Sequence, residues 1–423
     1  MRNSKIVTDK VFNFSKDKAD KIFPLTLCFL LIIIPLISTN FVVTHDGYLY
    51  LNSAFSLFKN NFELEYQWLR EPGYPLILKL ISSFMNIDSS YIFVQSLMLS
   101  VSFYIFYYVF FSKVKIGILT KVFLTIVVIN PYFFGWSSTV LQVASITLCL
   151  ALITLMIFKS LDGINKTVIS YWSLVTVFCW SIALQIGIIS VLSQFVMILI
   201  NYRSFTHMRV FVSNIIIFTL ITGSWTFYKN DVLERTKDIQ SGWNSDLNNA
   251  LTSGDKLLIP IDQEIFKNIL RSSINLTGLR TPFNREIESE GILRNAFESC
   301  AAWYPTDNTY IAEQLQKSID THCKTEQASS FFSKLIPLGT IFWQISNIFL
   351  WVAIFGLLGF FRKRASLVFL PTALLAISYS ALIFSIDRYI LPTYLVALMI
   401  PARILNTVET KIKFKYFRHT IKE

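Results

Sequence analysis

The chain has 423 residues, of which 53% are hydrophobic, 15% aromatic and only 15% charged, and it carries a formal net charge of +11. A water-soluble globule of this size needs more charge than that to cover its surface, so that class is excluded. Its positive charge orients the chain in a bilayer and meets anionic lipid; it does not mark a nucleic-acid binder.

The apolar residues arrive in blocks of about 20, the length that crosses a ~30 Å hydrocarbon core. In chain order, residues 1–21 are basic and precede an apolar span at 24–43 with no small-residue cleavage site after it, which predicts a signal anchor with a cytoplasmic N-terminus. Further spans are predicted over 90–111, 116–136, 137–158, 167–182, 184–200, 210–228, 337–360, 365–386 and 389–405. The expected fold class is an all-α polytopic membrane protein with about ten transmembrane helices. The apolar run 167–200 is the one ambiguous length, because a single helix would be roughly 50 Å long at ~1.5 Å per residue. Charge parity decides for two helices, with a tight hairpin turning near Gln185 and Gly187. With that pairing, Lys113/Lys115, Lys159/Lys166, Arg203/Arg209, Arg362/Lys363/Arg364 and Lys411/Lys413/Lys415 all fall on one side, as the positive-inside rule requires.

This divides the chain into a cytoplasmic N-terminus (1–23), a seven-span module (24–228) whose first outside loop is 44–89, an outside domain (229–336), a three-span module (337–405) and a basic cytoplasmic tail (406–423). In the first outside loop, Leu51, Ala54, Phe55 and Phe58 recur at helical spacing, as do Leu76, Ile77, Leu80, Ile81, Phe84 and Met85, which predicts two interfacial helices. Arg70-Glu71-Pro72-Gly73-Tyr74-Pro75 separates them as a turn. The outside domain shows helical spacing at Ile265, Ile269, Leu270 and Ile274 and no strand alternation, so a small helical cap is expected. Cys28, Cys149 and Cys179 lie in spans, where free cysteine is usually a small buried hydrophobe. Cys300 and Cys323 share the outside domain and form a disulfide candidate.

Almost no ionisable side chain lies deep inside a predicted span, whereas ion-coupled transporters place such groups near the midplane. The charged groups gather instead at the outer rim: His45, Asp46, Glu63, Glu65, Arg70, Glu71, Asp387 and Arg388. Asp46 follows the first span immediately, where partial desolvation raises a carboxylate's basicity and suits it to deprotonate an acceptor hydroxyl; the bland alternative is a polar helix end. Arg70 and Arg388 offer permanently charged forks at the depth of a lipid phosphate, against the alternative of simple snorkelling. Glu71 is placed to orient Arg70. His45, Asp46, Glu63, Glu65 and Glu71 contain enough oxygen and nitrogen donors for a divalent metal, but no ligand spacing calls for one. No P-loop, dinucleotide fingerprint or nucleophile elbow is present, so no soluble nucleotide cofactor is indicated.

The ordered set of Asp46, then Arg70-Glu71-Pro72-Gly73-Tyr74-Pro75, then Asn130-Pro131-Tyr132, then Arg388-Tyr389 with Pro392, resembles the GT-C membrane glycosyltransferases. The branch it is most similar to is that of protein O-mannosyltransferases and aminoarabinose lipid A transferases. The resemblance implies a multi-pass protein of the bacterial cytoplasmic membrane with an extracytoplasmic active site. It also implies inverting transfer from a polyprenyl-phosphate sugar to a glycan, lipid or protein acceptor. Asp46 matches the family's catalytic acid position as general base, and Arg70 and Arg388 match donor-phosphate positions. His45, Glu71, Tyr74 and Tyr389 stand beside them as supporting residues. The chain departs from the family pattern at Gly47 and Gln142, where acidic residues are often found. Two other readings are an O-antigen-type polymerase or ligase relying on Arg280, Arg285 or His322, and a non-enzymatic glycolipid flippase.

Overall fold

The computed structural model describes residues 22–43, 47, 50–51, 53–54, 71–84, 87–139, 141–161, 166–200, 205–235, 301–302, 331–339, 341–342, 346, 348–350, 364–382 and 391–420. The first long element is helix α1 (Ile22–Ser38), followed by the two-residue strand β1 (Val42–Val43). Helix α2 (Gly73–Phe84) leads into α3 (Ile87–Phe111), and α4 (Ile118–Val128) is followed after a break by α5 (Pro131–Phe134), which tightens into a 3-10 turn at Gly135–Ser138. Then come α6 (Val143–Leu161), α7 (Lys166–Ile182), α8 (Leu184–Ile200), α9 (Phe205–Arg235) and strand β2 (Ala301–Ala302). Helix α10 covers 331–339, a 3-10 turn at Arg364–Phe369 runs into α11 (Leu370–Leu382), and another at Leu391–Thr393 starts the long α12 (Tyr394–Thr420). Regular structure among the described residues is thus helical apart from one parallel pair of strands, in which Val42 faces Ala301 and Val43 faces Ala302.

Three helical stretches are long and apolar enough to cross a membrane: Tyr91–Phe111, Val143–Leu161 and Leu391–Ile412. The bent pair Ile118–Val128 and Pro131–Ser138 makes a fourth if it is one span. Ile22–Ser38, Ser170–Ile182, Leu184–Ile200, Phe211–Phe227 and Leu367–Ala376 are apolar but shorter. The described residues therefore supply three or up to four spans of full length, against the ten predicted.

Contacts fix the direction of each helix. At what we call the lower end, the Lys121 ammonium sits 5.5 Å from the Phe23 ring, Lys113 sits 5.5 Å from Phe158, and Arg403 sits 6.0 Å from Phe111. At the upper end, Val42 bridges to Thr139 and the Tyr91 hydroxyl donates to the Thr139 carbonyl at 2.8 Å. Helices α1, α4–α5 and α7 run from lower to upper end, and α3, α6, α8 and α12 run back. Helix α6 is the hub, packing against α3, α7 and α8. Its buried face includes Ala144, Cys149, Ala151 and Ser160, small residues that let helices approach closely where lipid supplies no hydrophobic drive. Ser160 receives the Trp172 indole N–H of α7 at 3.0 Å.

Three features differ in detail from the sequence reading. The apolar run 167–200 does fold back on itself: the Thr176 and Ser190 hydroxyls meet at 2.8 Å, and a Cβ on Gly187 would lie 2.8 Å from Trp180 Cβ. These pairs centre the turn on Ala183, a few residues before the predicted Gln185 and Gly187, because Gly187 is needed for the close crossing and not for the bend. The predicted boundary between spans 116–136 and 137–158 is replaced by a 45° break at Asn130-Pro131, and α6 starts only at Val143. Pro131 has no N–H to continue the α4 ladder, and Asn130 caps the new segment by accepting from the Tyr132 N–H at 3.0 Å. Finally, the first span gives way after Ser38 to β1, whose partner β2 lies in the domain expected to be a helical cap.

Candidate active site

The upper end is built on α2 and α3. Pro72 ends the turn and Gly73 opens α2, with Leu76 N–H reaching back to the Pro72 carbonyl at 2.9 Å. Gly73 is required by contact: a Cβ there would meet the Ser181 carbonyl oxygen at 2.6 Å and its carbon at 2.7 Å, so α2 lies directly on the last turn of α7. Tyr74, Leu78 and Ile81 face inward, while Leu76 and Leu80 remain exposed. One side meets protein and another is apolar yet uncovered, as an interfacial helix demands.

Tyr74 is fully buried. Its hydroxyl lies 2.6 Å from that of Tyr91 and 2.8 Å from the Leu141 carbonyl. The Tyr91 hydroxyl in turn donates to the Thr139 carbonyl and accepts the Leu141 N–H at 3.1 Å. Two hydroxyl protons meet three acceptors here, so one proton is shared, and the network holds Thr139 and Leu141 against α2 and α3. Burial first, and then the neighbouring Tyr91, push the Tyr74 phenol well above the ordinary tyrosine range. It stays a neutral hydrogen-bonding group, spent on structure. The Tyr50 ring meets the Tyr74 ring edge-on at 4.8 Å, and Phe41 meets Tyr91 at 5.3 Å, so the chain on both sides of residues 44–46 is anchored to this aromatic nest.

A second junction sits beside it. The Asn130 Nδ2 donates to the Tyr394 hydroxyl at 2.5 Å while its Oδ1 caps α5. Tyr394 stacks on Phe133 at 5.3 Å. Gly339 is pressed against the same break, where a Cβ would strike the Asn130 Oδ1 and lie 2.8 Å from Tyr132 Cβ. Gln142 donates to the Ile182 carbonyl at 2.8 Å, tying the start of α6 to the α7–α8 turn. Nearby on α3, Gln95 is wholly buried and, among the described residues, neither its amide atoms nor the indole N–H of buried Trp136 finds a hydrogen-bond partner.

Of the predicted site residues, Glu71 is half-buried at the start of this end and Tyr74 is in its core. Asp46, His45, Arg70, Arg388, Tyr389, Cys300 and Cys323 lie outside the described residues, as do Glu63, Glu65, Asp387, Arg280, Arg285 and His322. Among the described residues there is no group of three or more His, Cys, Asp or Glu able to hold a metal. Within the described part, the site offers hydroxyls, amides, aromatic faces and the Glu71 carboxylate. Tyr91, Asn130 as a lock and Tyr394 were not picked out from the sequence; the polar Asn-Pro step inside an apolar run was the one visible signal.

No protein-family model, curated protein or solved structure matches the chain.

Proposed function

We propose that the chain is a polytopic membrane glycosyltransferase of the GT-C kind. In this reading it has ten spans, both ends in the cytoplasm of a bacterial cell, and its site at the upper, extracytoplasmic end. The observation that supports it is convergence. Val42 and Tyr50 flank Asp46 in sequence, Tyr74 follows Arg70, and Leu391 to Tyr394 follow Arg388. Val42 bridges to Thr139, Tyr50 packs on Tyr74, Tyr74 bonds the Leu141 carbonyl, and Tyr394 locks Asn130, so these neighbours gather at one end of the bundle.

In the proposed reaction, the Asp46 carboxylate takes the proton of an acceptor hydroxyl as its oxygen attacks the anomeric carbon of a polyprenyl-phosphate sugar. The bond from that carbon to the phosphate oxygen breaks, its electron pair leaves with the phosphate, and the configuration inverts. Arg70 and Arg388 oppose the charge that develops on the leaving lipid phosphate. His45, Glu71 and Tyr389 position these groups, and Tyr74 holds the floor beneath them. Purified protein supplied with polyprenyl-phosphate sugars and a cell-envelope extract tests the assignment. Asp46→Asn is expected to lose ~10²–10⁴-fold in transfer, the usual worth of a positioned base; transfer at the wild-type rate removes Asp46 from that role.

A further inference from the structure

The lower end carries a second recognisable chemistry. Lys113, Lys121, Lys159 and Arg403 each lie over an aromatic ring there, and Lys159 also donates to the Tyr108 hydroxyl at 3.2 Å. Among the described residues the acidic side chain at this end is Glu409, and it is turned inward. Its Oε1 accepts the Ile118 N–H at 2.8 Å, while Asn406 accepts the Gly117 N–H at 2.8 Å and donates to the Lys115 carbonyl at 3.1 Å. Asn406 and Glu409 therefore clamp α12 onto the first turn of α4, filling orphan N–H groups that an apolar surrounding would leave costly. A Cβ at Gly117 would strike the Glu409 carboxylate, so the helix cannot rotate freely about its axis at this height.

The clamp fixes which way the rest of α12 faces. At ~100° per residue, positions 404, 408 and 412 lie about 170°, 130° and 90° round the helix from the midpoint of 406 and 409. Ile404, Val408 and Ile412 are indeed 51%, 46% and 50% exposed, an apolar stripe facing lipid. Positions 411, 415 and 418, which are Lys, Lys and Arg, continue that side within an arc of about 60°. Helix α12 has 27 residues, ~40 Å at 1.5 Å each, against a ~30 Å hydrocarbon core, so its last turns emerge into the headgroup layer.

We propose that this arc binds the anionic phospholipid headgroups of the leaflet at the lower end, and that the Asn406–Glu409 clamp aims it there. The proposal rests on α12 spanning the membrane and is independent of the transferase reading. Full-length protein is reconstituted in nanodiscs of phosphatidylcholine with or without phosphatidylglycerol, and retained phosphatidylglycerol is counted by native mass spectrometry. At about 1 kcal/mol per basic residue near the surface, K411Q/K415Q/R418Q is expected to weaken headgroup association on the order of a hundredfold. Raised salt is expected to weaken the wild type in the same direction. The net-charge-conserving variant K411T/T410K/K415F/F414K moves two of the arc's three charges by about 100° while Arg418 stays in place, and it is expected to lose part of the preference as well. Wild-type retention by either variant overturns the proposal, as does equal competition by soluble inorganic pyrophosphate. Should a multiple variant not yield monodisperse protein, K411Q with the salt series carries the same test, since Lys411 is exposed: about a fivefold loss is expected, and no loss refutes it.

Discussion

Asn130 serves two partners across a break in an apolar helix, and replacing it with alanine removes both at once. The cap on the Tyr132 N–H, at 3.0 Å, is worth ~1 kcal/mol by the usual range for such caps. The bond to the Tyr394 hydroxyl, at 2.5 Å and fully buried, adds ~1–1.5 kcal/mol, and the Tyr132 N–H left buried without this acceptor adds a desolvation penalty of ~1 kcal/mol or more. Asn130→Ala is therefore expected to destabilise the protein by ~3 kcal/mol, with Asn130→Asp less affected at the cap. Reversible unfolding in mixed micelles, with denaturing detergent fraction as the axis, measures the change. A double-mutant cycle with Tyr394→Phe isolates the bond itself, and a coupling of ~1 kcal/mol is expected for contacting partners. Strict additivity, or an Asn130→Ala protein as stable as the wild type, would refute the view that Asn130 locks the break.

Further outcomes follow from the same packing. Gly73→Ala drives a methyl into the Ser181 carbonyl, whose backbone cannot swing aside, and is expected to cost ~1–3 kcal/mol in the same assay. Tyr74→Phe removes the hydroxyl that joins Tyr91 and Leu141 and is expected to cost ~1–2 kcal/mol. Because the folded Tyr74 phenol titrates above the unfolded one, near 10, its contribution is full below that pH and is lost above it. The gap between wild type and Tyr74→Phe should thus close on the alkaline side. Mass spectra of non-reduced and reduced digests test the Cys300–Cys323 pairing directly: a linked peptide pair bearing both and lighter by two hydrogen atoms is the expected result, and two alkylatable thiols there the contrary one.

What was legible in the sequence was what hydrophobicity and charge dictate locally. The lower end of α3 falls at Phe111 because an apolar run closed by Lys113 admits few alternatives, and α7 and α8 lie within a residue of their predicted limits because charge parity required two crossings in 167–200. The tertiary uses of polar residues at span ends were not legible. Asn406 and Glu409 read as the start of a solvated tail, since nothing local says that a helix N-terminus far back in the chain will come to meet them. Tyr91 likewise reads as one aromatic among many until the 139–141 turn is seen beside it. The candidate site shares this limit: Asp46, Arg70 and Arg388 lie outside the described residues, and what the structure describes is the packing of Val42, Tyr50, Tyr74 and Tyr394 at one end of the bundle.

The clamp on α4 also sets an order of assembly. The Ile118 N–H finds its acceptor 291 residues further along the chain, so that acceptor leaves the ribosome long after α4. At ~5–20 residues per second, α4 waits roughly a quarter of a minute to a minute with its first N–H groups unclaimed. Until then the nascent bundle is marked as unfinished at one end. A chain cut short before residue 406 never erases that mark, and a membrane protease that pulls on loosely held helix ends is given both the time and the handle to tell it from the whole protein.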